Sequence, residues 1–137
     1  MGAITLATTA RNAAADAVAG LVNAGSGAGY LEIRTGSAPA NPQAAATGTL
    51  LVTVTLNDPA YAAAVAGVAA LDVTPQPSGT AVATDTAGWA RLYDSDGDAV
   101  ADGACGTSGA FVNLATTSIV TGAVVSITSG SLTAPAA

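Results

Sequence analysis

Hydrophobic and polar residues alternate in short runs along most of this chain, and the alternation predicts a mainly β fold. The clearest run is T-L-L-V-T-V-T-L at residues 49–56, where every second side chain would lie on one face of a strand. The residues expected to face the core are Leu50, Val52, Val54 and Leu56. Those expected to face outward are Leu51, Thr53 and Thr55.

Further short runs rich in threonine and valine follow, and glycine-containing turns separate them. Leu31 and Ile33 alternate with charged residues in the earlier run Y-L-E-I-R-T. The alanine-rich segment 60–74 is ambiguous, and we predict strand there because its β-branched residues and Gly67 disfavour a helix. Many short strands at this spacing are typical of a β-sandwich or barrel rather than an α/β sheet.

One segment near the N-terminus has helical spacing instead. Thr8 and Thr9 offer an N-cap, Gly25 offers a stop, and the apolar side chains between them recur every three or four residues. The residues expected on the apolar face are Ala14, Val18, Leu21 and Val22. The sequence therefore predicts one short α-helix over about residues 9–24.

Size and composition indicate one domain with a lean core. The chain has 137 residues, the usual size of one domain, so we predict a single domain over 1–137, with the helix followed by a β-rich body at about 29–134. Half of the residues are apolar, but alanine and valine supply most of them, and small side chains bury little area at about 25 cal/mol per Å². We therefore expect association into a homo-oligomer to add stability.

The charge balance argues against several classes of partner. The chain has three arginines, no lysine, no histidine and a net charge of −6, whereas nucleic-acid binding needs clustered cations. No apolar run is long enough to span a bilayer, and the N-terminus lacks the basic start of a secretory signal. We expect neither nucleic acid nor a membrane as a partner.

The stretch D-S-D-G-D-A-V-A-D at 94–102 is the strongest candidate for chemistry, since it holds four of the nine acidic residues. A calcium loop of the EF-hand type would need Gly in the sixth place and Glu in the twelfth. Counted from Asp94, Ala99 and Cys105 occupy those places. We therefore predict a β-hairpin turning at Asp96-Gly97, with weak cation binding at its tip left open.

The other residues that could carry catalytic or binding chemistry also favour a structural protein. Without histidine, the usual general base and histidine-based metal sites are excluded, and nothing near Cys105 would activate its thiol. G-S-G-A-G-Y at 25–30 follows a helix and precedes a strand, the reverse of the order in a phosphate-binding loop. Trp89 and Tyr93 are interpreted as core or core-edge residues. We expect no enzymatic activity, no catalytic residue, no cofactor and no metal site.

Several stretches together resemble small virion structural proteins of tailed bacteriophages, in order and over most of the chain. They lie at 10–17, 25–51, 58–61, 87–97 and 102–110. The resemblance implies a non-enzymatic capsid decoration (cement) protein that binds the outer face of the major capsid lattice. It also implies the major capsid protein and sister copies as partners, with a trimer as one form, and a virion location after synthesis in the host cytoplasm.

Two alternatives remain open. A phage tail role, in the tube, terminator or fibre, fits the same composition. A cell-surface β-sandwich binding module is the third hypothesis, and it predicts a calcium site at Asp94, Asp96 and Asp98. In the capsid hypothesis, the proline-containing loop at 36–48 would reach over a capsid subunit or a sister copy.

Overall fold

The computed structural model describes residues 4–134, which form one helix followed by ten strands. The helix α1 spans Thr8–Asn23. The first five strands are β1 Tyr30–Arg34, β2 Leu50–Thr55, β3 Val68–Ala70, β4 Ser78–Thr80 and β5 Asp85–Thr86. The remaining strands are β6 Trp89–Tyr93, β7 Ala99–Gly106, β8 Val112–Leu114, β9 Ser118–Ile119 and β10 Val124–Thr133.

Eight of the strands form a single curled sheet. Its order is β2-β1-β6-β7-β8-β10-β3, with β4 also paired to β10, and all pairs are antiparallel except β7 with β8. The curl brings the end of β4 back beside β2, where the Val82 N–H donates to the Leu51 carbonyl at 2.8 Å. β5 and β9 form a separate two-stranded ribbon. The predicted mainly β fold with one N-terminal helix is confirmed, in a barrel-like form.

The core lies inside the curl. Leu31 pairs with Val54 and Ile33 pairs with Val52 across the first two strands, and all four side chains are fully buried. Leu51 is also fully buried, so the prediction that it faces outward is wrong. A β-bulge at Leu51, between the pairs Ile33–Val52 and Arg34–Leu50, breaks the alternation there. Leu50, predicted to face the core, is paired with Arg34 and is only half-buried, so that prediction is also wrong.

The helix boundaries are close to those predicted, but its cap and its rotation are not. Thr8 is already helical, and the N-cap position falls on Ala7, which makes no side-chain cap bond. Leu21 is 59% exposed. The buried residues are Ala15, Ala19 and Val22. Within the described part of the chain, no helix is long and apolar enough to cross a membrane.

The segment 60–74 is a strand only in part. It contains β3, and the residues before β3 fold back on it through isolated pairs that join Tyr61 to Leu71 and Val65 to Val68. The turn between them uses positive φ at Ala66 and Gly67 (52° and 79°), a conformation that glycine adopts readily. The alternating pattern gave no sign of this tight turn.

Candidate functional site

The acidic stretch forms the predicted hairpin. β6 and β7 pair antiparallel on either side of it, and the Asp94 N–H donates to the Asp98 carbonyl at 3.0 Å. One carboxylate oxygen of Asp94 accepts the backbone N–H groups of Asp96 and Asp98, at 3.0 and 2.9 Å. Gly97 supplies the positive φ of the turn, 89°. The Asp94 carboxylate therefore organises the turn itself.

Asp102, the last residue of the stretch, has a different role. Its carboxylate binds the guanidinium of Arg91 through two bonds, from Nε at 2.7 Å and from Nη2 at 3.0 Å. The two side chains are only 7% and 5% exposed. Hydrogen bonding to Asp102 raises the pKa of Arg91 against the opposing effect of burial. The acidic stretch thus contributes Asp102 as a buried counter-ion of Arg91, together with a turn that is exposed to solvent.

Arg91 belongs to a group of polar and aromatic side chains on the sheet face opposite the core, which we term the polar layer. Its members are Tyr30, Glu32, Arg34, Trp89, Arg91, Tyr93 and Asp102. Glu32 accepts from Arg34 at 3.1 Å and from the Tyr93 hydroxyl at 3.0 Å. Burial and the bond to Glu32 raise the pKa of Tyr93. Both layer carboxylates are therefore already engaged by neighbours.

Loop 36–48 covers the polar layer. Arg91 donates from Nη1 to the Ala44 carbonyl at 2.7 Å, and Arg34 donates to the Gly48 carbonyl at 3.2 Å. Beneath the loop, Trp89 is 1% exposed, and the Arg91 guanidinium lies 5.4 Å from its ring centroid. Trp89 is buried, but it lies on the sheet face opposite the core cluster and not in that cluster, where a core or core-edge position was predicted. The loop contacts its own chain, so its predicted reach onto a neighbour has no support in these contacts.

The remaining candidate residues offer little reactivity. Among residues 4–134, no three or more His, Cys, Asp or Glu side chains form a group that could hold a metal ion. Burial raises the pKa of the Cys105 thiol to about 12, so the nucleophilic thiolate is scarce near neutral pH. These observations fit the structural interpretation of Cys105.

All three arginines are engaged within the chain. Besides Arg34 and Arg91, Arg11 donates from Nε to the Ala134 carbonyl at 3.3 Å. The sequence contains no other arginine and no lysine. The three arginine side chains therefore stabilise the fold rather than form a basic surface.

An apolar surface lies around the β9–β10 turn. Val82, Val120 and Val124 are 64%, 55% and 71% exposed. Backbone bonds from Ala81 to Ala123 and from Gly122 to Ala81 hold their segments together. We term these three side chains the valine surface. Residues 103–137, which include two of its members, contain no charged residue.

Three polar side chains on one side of helix α1 accept hydrogen bonds from backbone N–H groups. These bonds were not predicted from the sequence. Asn12, Asp16 and Asn23 each use a side-chain oxygen to accept one backbone N–H, all at 2.7 Å. The donors, which we term the helix seat, belong to Gly67, Ala64 and Ala60 respectively. The spacing of four and seven residues between the acceptors was the available signal, since it aligns them on one helix face.

Comparisons of the chain with protein-family models, with curated proteins and with solved structures give no match. The resemblance to phage virion proteins therefore stays a prediction.

Proposed function

We propose that this protein is a non-enzymatic structural component of a tailed-phage virion, and that it decorates the outer face of the capsid. The observation that carries the proposal is the valine surface, which combines strong exposure of Val82, Val120 and Val124 with a charge-free stretch of chain. Contiguous exposed apolar groups mark interaction sites on soluble proteins. The sequence resemblance supplies the type of partner.

The chemistry of the valine surface fits a protein partner. The cores of protein–protein interfaces are depleted in charged residues. The polar groups next to these valines include the bonded hydroxyls of Thr84 and Thr121, at 3.1 Å, and one exposed carboxylate, Asp85, lies nearby on β5. Hydroxyls lose less on desolvation than charged groups do. The surface can therefore be covered by a neutral face of a capsid subunit at low cost.

The polar groups favour a structural rather than a catalytic role. Asp102 and Glu32 are bound to arginines or to a tyrosine hydroxyl, and Asp94 is bound to backbone N–H groups. Each of these carboxylates is held in place by the fold.

Homo-oligomerisation belongs to the same proposal. Two of the three buried residues of helix α1 are alanines, so the chain gains little from its own helix packing, and contact with sister copies adds buried area. A trimer is the arrangement that we propose on the capsid. The net charge of −6 keeps such a coat from competing for the packaged DNA.

The first test is the number of copies per purified virion, measured by quantitative mass spectrometry against the major capsid protein. We expect a ratio near one to one or another simple fraction of the lattice. A few copies to a few dozen would instead support a tail or vertex protein. Absence from virions would overturn the structural proposal and favour a cell-surface binding module.

A further inference from the structure

Helix α1 is attached in part through polar contacts with backbone. The three bonds from the helix seat to Asn12, Asp16 and Asn23 recognise N–H groups, which every non-proline residue has. Their spacing matches a helix that carries acceptors at these three positions. The seat is therefore selective for α1, but it does not distinguish the α1 of its own chain from that of another copy.

The apolar part of the attachment is small and incomplete. Ala15, Ala19 and Val22 are the buried helix residues. A groove of about 290 Å³ remains between the helix and the ends of β7 and β10, next to Val18 and Leu132. Unfilled space beside a side chain loses dispersion contacts. Release of the helix therefore costs less than release of a tightly packed one.

The connection from the helix to β1 permits a second arrangement. Residues 24–29, A-G-S-G-A-G, include three glycines and no proline. Once undocked, such a segment behaves as a flexible linker, and its six residues span at most about 20 Å when extended. That reach allows the helix to leave its own seat while the barrel stays folded.

We propose that helix α1 is an exchangeable arm, and that the helix seat of one copy binds the α1 of a second copy. Exchange of an identical element recreates every contact of the closed monomer and needs no new surface. Arg11 would fasten the exchanged arm through the carbonyl that it already binds, that of Ala134. The inference concerns self-association and does not depend on the capsid proposal.

The test uses two single-cysteine chains in a Cys105→Ala background, one with Asp16→Cys and the other with Ala64→Cys. Positions 16 and 64 are joined by a 2.7 Å bond, so a disulfide between the two chains requires the helix of one to lie on the seat of the other. The chains are unfolded together, refolded as a mixture and oxidised. The covalent heterodimer is then measured on non-reducing gels.

The control pairs the Asp16→Cys chain with Ser108→Cys, an exposed position outside the seat. We expect at least about tenfold more heterodimer from the seat pair than from the control, as element exchange requires. The double variant Asp16→Cys/Ala64→Cys within one chain shows whether the geometry allows a disulfide. Efficient intrachain oxidation together with a control-level heterodimer would overturn the proposal.

A second test keeps the chain unchanged and varies the protein concentration at refolding. Because exchange joins two copies, it should increase with concentration. We expect dimers or larger closed assemblies by light scattering after refolding at high concentration, and monomers after refolding at high dilution, with the helical circular dichroism retained in both. A protein that stays monomeric after refolding at every concentration would contradict exchange, whatever the copy number in virions.

Discussion

The ion pair between Arg91 and Asp102 shows what a single residue contributes to this fold. Both groups are almost fully buried, and burial of an unpaired charge is far more costly than burial of a pair. The pair also holds loop 36–48 through the Ala44 carbonyl. Its contribution is therefore best measured by removing one partner and then both.

We expect Arg91→Met to lower the free energy of unfolding by about 3 to 5 kcal/mol, because it leaves the Asp102 carboxylate buried without a partner. The double variant Arg91→Met/Asp102→Leu should recover a large part of the loss. Urea unfolding monitored by Trp89 fluorescence measures both. Asp98→Asn, in the exposed turn, is the control and should change stability by less than about 0.5 kcal/mol. If the losses of unfolding free energy in Arg91→Met and Asp102→Leu simply added up in the double variant, the result would contradict this account.

The sequence allowed part of the polar layer to be predicted. Once the turn is placed at Asp96-Gly97, antiparallel pairing puts residue 91 opposite residue 102, as the structure shows. The burial of that pair could not be predicted, because it depends on loop 36–48 folding over the sheet. The sequence of loop 36–48 indicated irregular structure, but it contained no signal for which surface the loop would cover.

At the scale of elements, alternation predicted the strands better than the details of their faces. Leu50 and Leu51 were misplaced because unbroken alternation was assumed for β2, whereas a β-bulge shifts the register at Leu51. The helix was rotated wrongly because alanines lie on all its sides and give weak periodicity. Its rotation is instead fixed by Asn12, Asp16 and Asn23, whose partners are distant in sequence.

Two substitutions in helix α1 should change stability in opposite directions. A Cβ added at Gly20 has open space around it, so Gly20→Ala should raise the free energy of unfolding by about 0.5 to 1 kcal/mol through helix propensity. Asp16→Ala should lower it by about 0.5 to 1.5 kcal/mol, because the Ala64 N–H loses its partner. Chemical denaturation checks both, and an Asp16→Ala protein as stable as the parent would show that the Asp16 bond to the seat contributes nothing.

At the scale of the whole molecule, a substitution in the valine surface should affect binding to the capsid without affecting the stability of the fold. Val124→Glu should leave the melting temperature unchanged, because Val124 is 71% exposed. It should weaken binding to capsids that lack the protein by at least about tenfold, since an unpaired carboxylate would be buried at the contact. Val65→Glu is the matched control at a position that is 74% exposed and outside the valine surface. An equal loss of capsid binding in both variants would argue against a contact at this surface.

The whole molecule should also lose stability in alkali. Burial raises the pKa of Tyr61, and it raises the pKa of Cys105 to about 12. The folded state therefore holds these protons more tightly than the unfolded chain does. Their contribution to stability is complete below the unfolded values, near 9 for Cys and 10 for Tyr, and it is lost as the pH rises through the folded values.

We expect the free energy of unfolding, measured in urea, to fall between pH 9 and pH 11. In the double variant Tyr61→Phe/Cys105→Ala the fall should be shallower, because neither buried group can ionise. A constant free energy over this range in the parent protein would rule out the burial of these groups in the folded state.

The helix seat has a consequence for how the sequence can drift over evolutionary time. Because the seat offers main-chain donors, the side chains of residues 60 and 64 carry no part of the recognition, whereas the acceptors at Asn12, Asp16 and Asn23 carry all of it. Gly67 is the exception, since its φ of 79° is a conformation that residues with a Cβ rarely adopt. Divergent descendants of this chain should therefore keep the helix acceptors, that glycine and a small residue at the buried position 60, while the exposed residues around them change.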